Sequence, residues 1–202
     1  MARLYQTTTY ETYKYRVRFC WWGAEEIGLA GSIYHVANAT LSDYLVNLNY
    51  DMLGSPNYFF GIYDGRTARS STPPNAINGS ILISEAFRSW FDKQNLPWTY
   101  TDFSGRSDYG PFLAKGIAAG GLFSGADETK TDELRQEYEN KLGKGYGGLA
   151  GTILDPCYHK SCDNVANINQ FAYEKMVQAA AYLLEHLGQK SDLKKWLYPD
   201  GN

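Results

Sequence analysis

Two short apolar runs with a helix-periodic stretch between them constrain the fold of this chain most strongly. Residues 16–22 are rich in β-branched and aromatic side chains and end at Gly23, and residues 45–52 form a second run of the same kind. Between them, residues 25–37 repeat apolar side chains at helical spacing. Such runs predict strands, and a helical crossover between two strands favours parallel pairing. The pattern therefore predicts a β-α-β unit.

Strand-like and helix-like segments continue to alternate along the rest of the chain. The further predicted elements are strands over residues 58–63 and 116–123 and helices over residues 80–94 and 168–187. The last helix is expected to end at Gly188, because glycine is favoured where a helix stops. We predict a single layered α/β domain, followed by a short polar tail over residues 189–202.

Composition and charge exclude several classes of partner. The chain has 202 residues, 44% of them hydrophobic, which is enough to form one hydrophobic core without disulfides or a structural metal. Its formal net charge is -3 and its basic residues are scattered, so nucleic acid is not an expected partner. No window approaches the roughly 18 consecutive apolar residues of a membrane-spanning helix, and residues 1–15 lack the apolar core of a signal peptide.

Two kinds of feature nevertheless suit an oxidising compartment. Asn38 and Asn78 each begin an acceptor sequence for N-linked glycosylation, and Cys157 and Cys162 lie close together. A close cysteine pair can also ligate metal, but a second Cys or His pair of a structural zinc site is missing. We therefore predict a disulfide between Cys157 and Cys162, and we expect Cys20 to be a buried free thiol in its apolar strand.

Three carboxylates follow the predicted strands. Glu25 and Glu26 come after the first strand and Asp51 closes the second, and ligand sites in parallel sheets form beyond the carboxyl ends of strands. Adjacent acids are also common at helix starts, where they complement the helix dipole, and this alternative applies to Glu25 and Glu26. Asp51 lies within an apolar run, where a carboxylate must be solvated, paired or metal-bound.

His159 lies between the two neighbouring cysteines. A disulfide that closes so small a loop would hold the imidazole in a narrow range of positions, as a metal ligand requires. The alternative is that His159 is a surface histidine without a metal, in a loop closed by the disulfide. We predict that Glu26, Asp51 and His159 converge on one cavity, with Glu25 reaching into it.

Five sequence blocks of the chain resemble those of a known family. The blocks that carry the resemblance occur in the family's order and are WGAEEIGLAGS over residues 22–32, LNYDMLGSPN over 48–57, GRSDY over 105–109, GGLFSGA over 120–126 and DPCYH over 155–159. Together they resemble the aminopeptidase Y and secreted leucyl aminopeptidase group of co-catalytic zinc peptidases. The resemblance implies a three-layer α/β/α sandwich around a central mixed, mainly parallel sheet, and peptide substrates with a free amino terminus.

The resemblance also implies a role for each site residue. Glu25 would be the general base, and Tyr158 would donate a hydrogen bond to the oxyanion. Glu26 and His159 would bind one zinc ion and Asp51 a second, while Arg106 would lie near the substrate. Paired zinc ions polarise the carbonyl and activate a water molecule, whose proton the carboxylate accepts.

The chain departs from the family pattern in its metal ligands. The pattern needs a further histidine and an aspartate that bridges both metals, both upstream of residue 16, and neither His35 nor His186 takes their place. We therefore expect residues 1–188 to form an incomplete domain that lacks its amino-terminal strands, binds zinc weakly and has little activity. A truncated secreted or vacuolar precursor would explain these gaps and the missing signal peptide.

Two other functions remain open at this stage. One is a non-catalytic interaction domain of the same fold, which the incomplete metal set would fit. The other is a glutaminyl-cyclase-like acyltransferase, a relative that uses one zinc ion. Phe123 and Tyr146 suggest an apolar substrate pocket, but the preferred amino-terminal residue and the oligomeric state do not follow from the sequence.

Overall fold

A computed structural model describes residues 14–201 of the chain. The helices are α1 (Ala30–Asn38), α2 (Pro74–Lys93), α3 (Gly110–Ala114), α4 (Asp132–Leu142), α5 (Gln170–Gly188) and α6 (Leu193–Leu197), and the strands are β1 (Val46–Tyr50), β2 (Gly61–Tyr63), β3 (Thr99–Thr101) and β4 (Ala118–Phe123). Short 3-10 turns cover Leu41–Asp43, Gly65–Thr67 and Val165–Asn167.

The strands form one mixed sheet in the order β1-β4-β2-β3. β1 pairs parallel with β4, from Val46 opposite Ala118 to Tyr50 opposite Leu122. β2 pairs parallel with β3 and antiparallel with β4. The predicted α/β fold with a mixed, mainly parallel sheet is confirmed.

Alternate residues of β4 face two different hydrophobic clusters. Ala118 and Leu122 belong to the larger cluster, whereas Ala119 belongs to a second one. The larger cluster includes Ile83 and Phe87 of α2 and Met176 and Leu183 of α5, and the second includes Tyr63, Phe103, Tyr109 and Leu113. Because successive side chains of a strand point to opposite faces, the sheet is packed on both sides.

The glycines of β4 allow this close packing. A Cβ atom at Gly120 would overlap the side chain of Ile83 in α2, and one at Gly121 would overlap the backbone carbonyl of Asn49 in β1. A small-residue strand was predicted over residues 116–123, and the neighbours of these glycines give the physical reason for it.

The predicted first strand is wrong. Residues 16–22 have no regular secondary structure, and within residues 14–201 they form no ladder with β1. Instead, the segment and β1 both line a cavity of about 610 Å³. The prediction of a buried Cys20 is also wrong, because this thiol lies on a segment without regular secondary structure and is exposed.

The carboxyl end of the chain also differs from expectation. Gly188 is the last residue of α5 rather than a left-handed cap, since the C-cap is Gln189 with φ -82°. Part of the predicted polar tail forms α6, in which Leu193 and Leu197 are buried in the larger cluster. In the described part of the chain, no helix is long and apolar enough to cross a membrane.

Candidate active site

Glu25 and Glu26 lie in a turn that precedes α1. The backbone N–H groups of Gly28 and Leu29 donate to the Glu25 carbonyl at 3.1 and 2.8 Å. The turn begins at Ala24, whose φ of 58° is in the left-handed region. The first turn of α1 contains no acidic residue, so the pair does not serve as a helix-dipole partner in that turn.

Asp51 follows β1 directly and is held by neutral polar groups. The hydroxyl of Ser107 donates to Asp51 Oδ2 at 2.8 Å, and the amide of Asn49 donates to Ser107 Oγ at 3.0 Å. Met52, the next residue, has a left-handed φ of 57°. The carboxylate is therefore oriented by a short chain of hydrogen bonds.

A disulfide closes the loop that carries His159. It joins Cys157 and Cys162 with a Cα–Cα distance of 5.3 Å, as predicted. His159 has a left-handed φ of 56°, and its ring stacks on Tyr158 with centroids 3.8 Å apart. Its Nε2 atom lies 2.6 Å from Oε1 of Glu26. The loop thus brings the imidazole directly to one of the predicted carboxylates.

Burial and neighbouring charges raise the pKa of Glu25 to about 6. Desolvation is the largest cause, followed by the negative charges of Asp51, Glu26 and Asp108, whereas His159 acts in the opposite direction. Such couplings operate over short distances, because solvent screens exposed charges beyond about 10 Å. The three predicted carboxylates therefore share one region of the surface.

Tyr158 lies in the same region. Burial raises the pKa of its phenol, and the negative charges of Glu26, Asp127, Asp51 and Glu25 raise it further. A phenol that stays protonated beside several carboxylates remains a hydrogen-bond donor. That is the state in which it would stabilise a developing oxyanion.

The structure brings together some of the predicted site residues and separates others. Glu26 meets His159 directly, whereas Asp51 is joined to Ser107. Within residues 14–201, no three His, Cys, Asp or Glu side chains form a group suited to a metal ion. Arg106 is exposed and directly precedes Ser107 in the chain.

The two predicted glycosylation sites lie on helices. Asn38 ends α1 and donates to the carbonyl of Tyr34 at 2.8 Å. Asn78 lies in α2 and donates to Asp200 Oδ2 at 3.1 Å. Both asparagines are exposed.

Sequence reasoning missed a buried polar pair beside the carboxylates. Asp108 is 8% exposed and accepts a hydrogen bond of 2.5 Å from the hydroxyl of Ser32. Burial raises its pKa, the Ser32 hydroxyl opposes this, and the charge of Asp51 adds to it. Ser107 and Asp108 stand in the GRSDY block, which was the available signal, but only Arg106 was selected from it.

Comparison with known proteins places the chain in a family. Residues 1–184 match the model of peptidase family M28. The chain therefore belongs to peptidase family M28. The resemblance stated from the sequence blocks is confirmed at this level.

Several similar proteins are described as aminopeptidases. An aminopeptidase of Pseudomonas aeruginosa is 42% identical over 177 residues, which cover 85% of this chain and 31% of the relative. Leucine aminopeptidase 2 of Trichophyton rubrum is 43% identical over 172 residues, which cover 83% of this chain and 32% of the relative. The chain thus spans about a third of the length of these relatives.

Solved structures share the fold at lower identity. BSAP, a zinc aminopeptidase from Bacillus subtilis, matches with a TM-score of 0.53 and 22% identity, over 80% of this chain and 34% of that one. The LapA aminopeptidase of Legionella pneumophila matches with a TM-score of 0.55 and 17% identity, over 85% of this chain and 39% of that one.

The donor chemistry of the site suits zinc, which the family implies, but the number of donors does not complete a site. A carboxylate and an imidazole are ordinary zinc ligands, and those of Glu26 and His159 already touch. Catalytic zinc takes three protein ligands as a rule. Glu26 and His159 could therefore hold part of a coordination shell, to which the described residues add no third neighbour.

Proposed function

We propose that this chain supplies part of the active site of a zinc aminopeptidase, which removes single residues from the free amino end of peptides. The observation that carries the proposal is the contact of Glu26 with His159, two residues 133 positions apart in the chain. Oε1 of Glu26 and Nε2 of His159, the atoms that could bind a metal, lie 2.6 Å apart, and Glu25 directly precedes Glu26. Membership of family M28 and the aminopeptidase relatives support it.

Each predicted residue has a distinct task in this proposal. Glu25 accepts the proton of the attacking water and passes it to the leaving amine. The hydroxyl of Tyr158 donates to the carbonyl oxygen as negative charge develops there. Arg106 contacts the bound substrate. Zinc, when bound, would polarise the carbonyl and lower the pKa of the water.

Glu26 and His159 would hold one zinc ion, and Asp51 would contribute to the second. Two ligands for one ion and one for the other fall short of the usual three. We therefore expect the 202-residue chain to bind zinc weakly and to hydrolyse little.

An oxidising compartment fits this chain best. The disulfide between Cys157 and Cys162 is typical of secreted or lumenal proteins, and Asn38 and Asn78 are exposed. We propose secretion or residence in a vacuolar or lysosomal lumen, with glycans on both asparagines. Mass spectrometry of the protein from a eukaryotic host, before and after enzymatic deglycosylation, measures the occupancy of each.

A chimera tests the proposed function. The chain replaces the 177 residues that it matches in the Pseudomonas aeruginosa aminopeptidase, and zinc content and hydrolysis of leucine anilide are measured. We expect zinc-dependent hydrolysis. Glu25→Ala should lower turnover about 10²- to 10⁴-fold and keep the metal, since a general base contributes that much. Glu26→Ala and His159→Ala should lose metal.

Glu174→Ala, which removes an exposed carboxylate on α5, is the matched control and should leave both measurements unchanged. Full turnover in the Glu25→Ala chimera would refute the general-base role. A wild-type chimera that binds no zinc would favour a non-catalytic interaction domain, and cyclisation of an amino-terminal glutamine peptide would favour an acyltransferase.

A further inference from the structure

Residues 167–169 lie between the two loops that carry predicted metal ligands. Asn167 ends the 3-10 turn Val165–Asn167, and Asn169 is the N-cap of α5. Both side chains are partly buried. Each asparagine amide makes a hydrogen bond to a different loop, one on the His159 side and one on the Asp51 side.

Asn167 binds the loop of His159. Its Nδ2 group donates to Asp155 Oδ1 at 2.9 Å, and the same carboxylate oxygen accepts from the backbone N–H of Cys157 at 2.9 Å. Asp155 is only 5% exposed. The buried carboxylate of Asp155 therefore connects Asn167 to Cys157, the first cysteine of the disulfide loop.

Asn169 binds the loop that follows Asp51. Its backbone N–H donates to the carbonyl of Gly54 at 2.8 Å, and its Nδ2 group donates to the carbonyl of Pro56 at 3.1 Å. Ile168 packs so closely on Gly54 that a Cβ atom there would lie 2.9 Å from the Ile168 side chain. This side of the segment is held both by hydrogen bonds and by packing.

We propose that Asn167 and Asn169 are positioning residues that set the spacing between the loop of His159 and the loop of Asp51. The inference rests on the proposed function, because it is the metal ligands that need a fixed separation. Within the described residues, His159 and Asp51 do not touch each other. One backbone hydrogen bond, from the N–H of Asn57 to the carbonyl of Leu154 at 2.9 Å, joins their loops directly, and residues 167–169 form a second link between them.

The cap role of Asn169 can be separated from its positioning role. Its Oδ1 atom accepts from the N–H of Ala172 at 3.1 Å, which is ordinary N-cap chemistry. Aspartate and serine cap helices as well as asparagine does, but neither carries an amide that donates to the Pro56 carbonyl. Asn169→Asp and Asn169→Ser therefore keep the helix cap and remove the second contact.

The experiment measures stability, zinc binding and backbone signals in the 202-residue chain. Urea unfolding gives the midpoint, calorimetric titration with zinc chloride gives the affinity, and NMR follows the His159 ring and the amide of Met52. For Asn169→Asp and Asn169→Ser we expect a midpoint lowered no further than by the loss of a helix cap, since one hydrogen bond is lost, together with zinc affinity about 10- to 100-fold lower and a shifted His159 signal. For Asn167→Ala we expect the Met52 amide to shift, although this residue does not touch that loop.

Two cap variants outside the proposed link are the controls. Thr131→Ala removes the cap of α4, where Thr131 accepts from Leu134 at 3.1 Å, and Asp192→Ala removes the cap of α6, where Asp192 accepts from the N–H of Lys195 at 2.9 Å. Both should lower the midpoint and leave zinc affinity and the His159 and Met52 signals unchanged.

The two readouts separate failure of the inference from failure of the proposed function. Wild-type zinc affinity and unchanged signals in Asn169→Ser overturn the inference, as does an equal loss of affinity in Thr131→Ala. If the wild-type chain shows no measurable zinc uptake, the chimera decides the proposed function and the NMR signals alone decide the inference. A His159 signal that stays in place in Asn169→Asp and Asn169→Ser would overturn the positioning role.

Discussion

Lys130 is a buried cation outside the candidate site, and its protonation should couple to folding. It is 1% exposed, and its Nζ group donates to the carbonyl of Tyr58 at 2.7 Å. The ammonium also lies 5.2 and 4.9 Å from the ring centroids of Tyr58 and Tyr138. These contacts satisfy part of the charge, and within residues 14–201 no carboxylate forms an ion pair with it.

Burial lowers the pKa of Lys130 from 10.5 to about 8. The folded protein therefore binds this proton less tightly than the unfolded chain does, so its stability increases as the pH rises from about 8 toward 10.5. The difference between the two pKa values corresponds to about 3.4 kcal/mol over the whole range. Between pH 7 and pH 9 the gain is about 1.4 kcal/mol.

Urea unfolding of the wild type and of Lys130→Met at pH 7 and pH 9 measures this gain. The wild type should gain about 1.4 kcal/mol relative to the variant, and effects of other groups cancel because both proteins contain them. Lys141→Met removes an exposed lysine that also contacts a carbonyl, that of Leu96; because it keeps Lys130, it should gain as much stability between pH 7 and pH 9 as the wild type does. A difference between wild type and Lys130→Met that is equal at both pH values would refute the reasoning.

Two further predictions concern the groups that orient the site. Ser107→Ala should lower the free energy of unfolding by about 1–3 kcal/mol, because the buried amide of Asn49 loses its acceptor and Asp51 loses a donor; urea unfolding measures it, and a loss below 0.5 kcal/mol would contradict it. Replacing Cys157 and Cys162 together by Ala should cost roughly 2 kcal/mol of stability and weaken zinc binding in the chimera, and unchanged zinc content would show that the disulfide does not hold the metal-binding loop.

The apolar sequence pattern predicted those strands whose residues form a clear apolar run. β1 and β4 agree with the predicted runs because the apolar residues of β1 pack against the larger cluster and the apolar and small residues of β4 are packed on both faces of the sheet. β3 was missed, since three partly buried residues between two turns carry too little periodicity. Helix α4 was missed because it is polar and Tyr138 is its one buried residue. The run at residues 16–22 has strand composition, but a strand also needs a hydrogen-bonding neighbour, which local pattern does not report.

In the candidate site, too, the features that depend on local sequence were predicted and those that depend on distant contacts were harder to predict. The disulfide followed from the short spacing of Cys157 and Cys162, because two cysteines so close in the chain can reach bonding distance. The contact between Glu26 and His159 depends on how distant segments fold together. The position of Glu26 after a predicted strand and of His159 in the cysteine loop predicted that they converge, and the resemblance to a family assigned both to one metal ion. Ser107 was missed because a serine becomes informative only when its partner, Asp51, is known.

The backbone around the carboxylates provides a last test of how the site is built. Ala24 has a φ of 58°, which costs an alanine about 1–2 kcal/mol relative to glycine, whereas glycine loses about 0.4–1 kcal/mol more chain entropy on folding. Ala24→Gly should therefore stabilise the protein by up to about 1.6 kcal/mol, while Ala181→Gly in the middle of α5 should destabilise it by about 1 kcal/mol. Urea unfolding compares the two substitutions directly. Equal losses would show that the turn before Glu25 is not held in the left-handed region, whereas opposite signs would show that the fold tolerates strain where it aims its carboxylates.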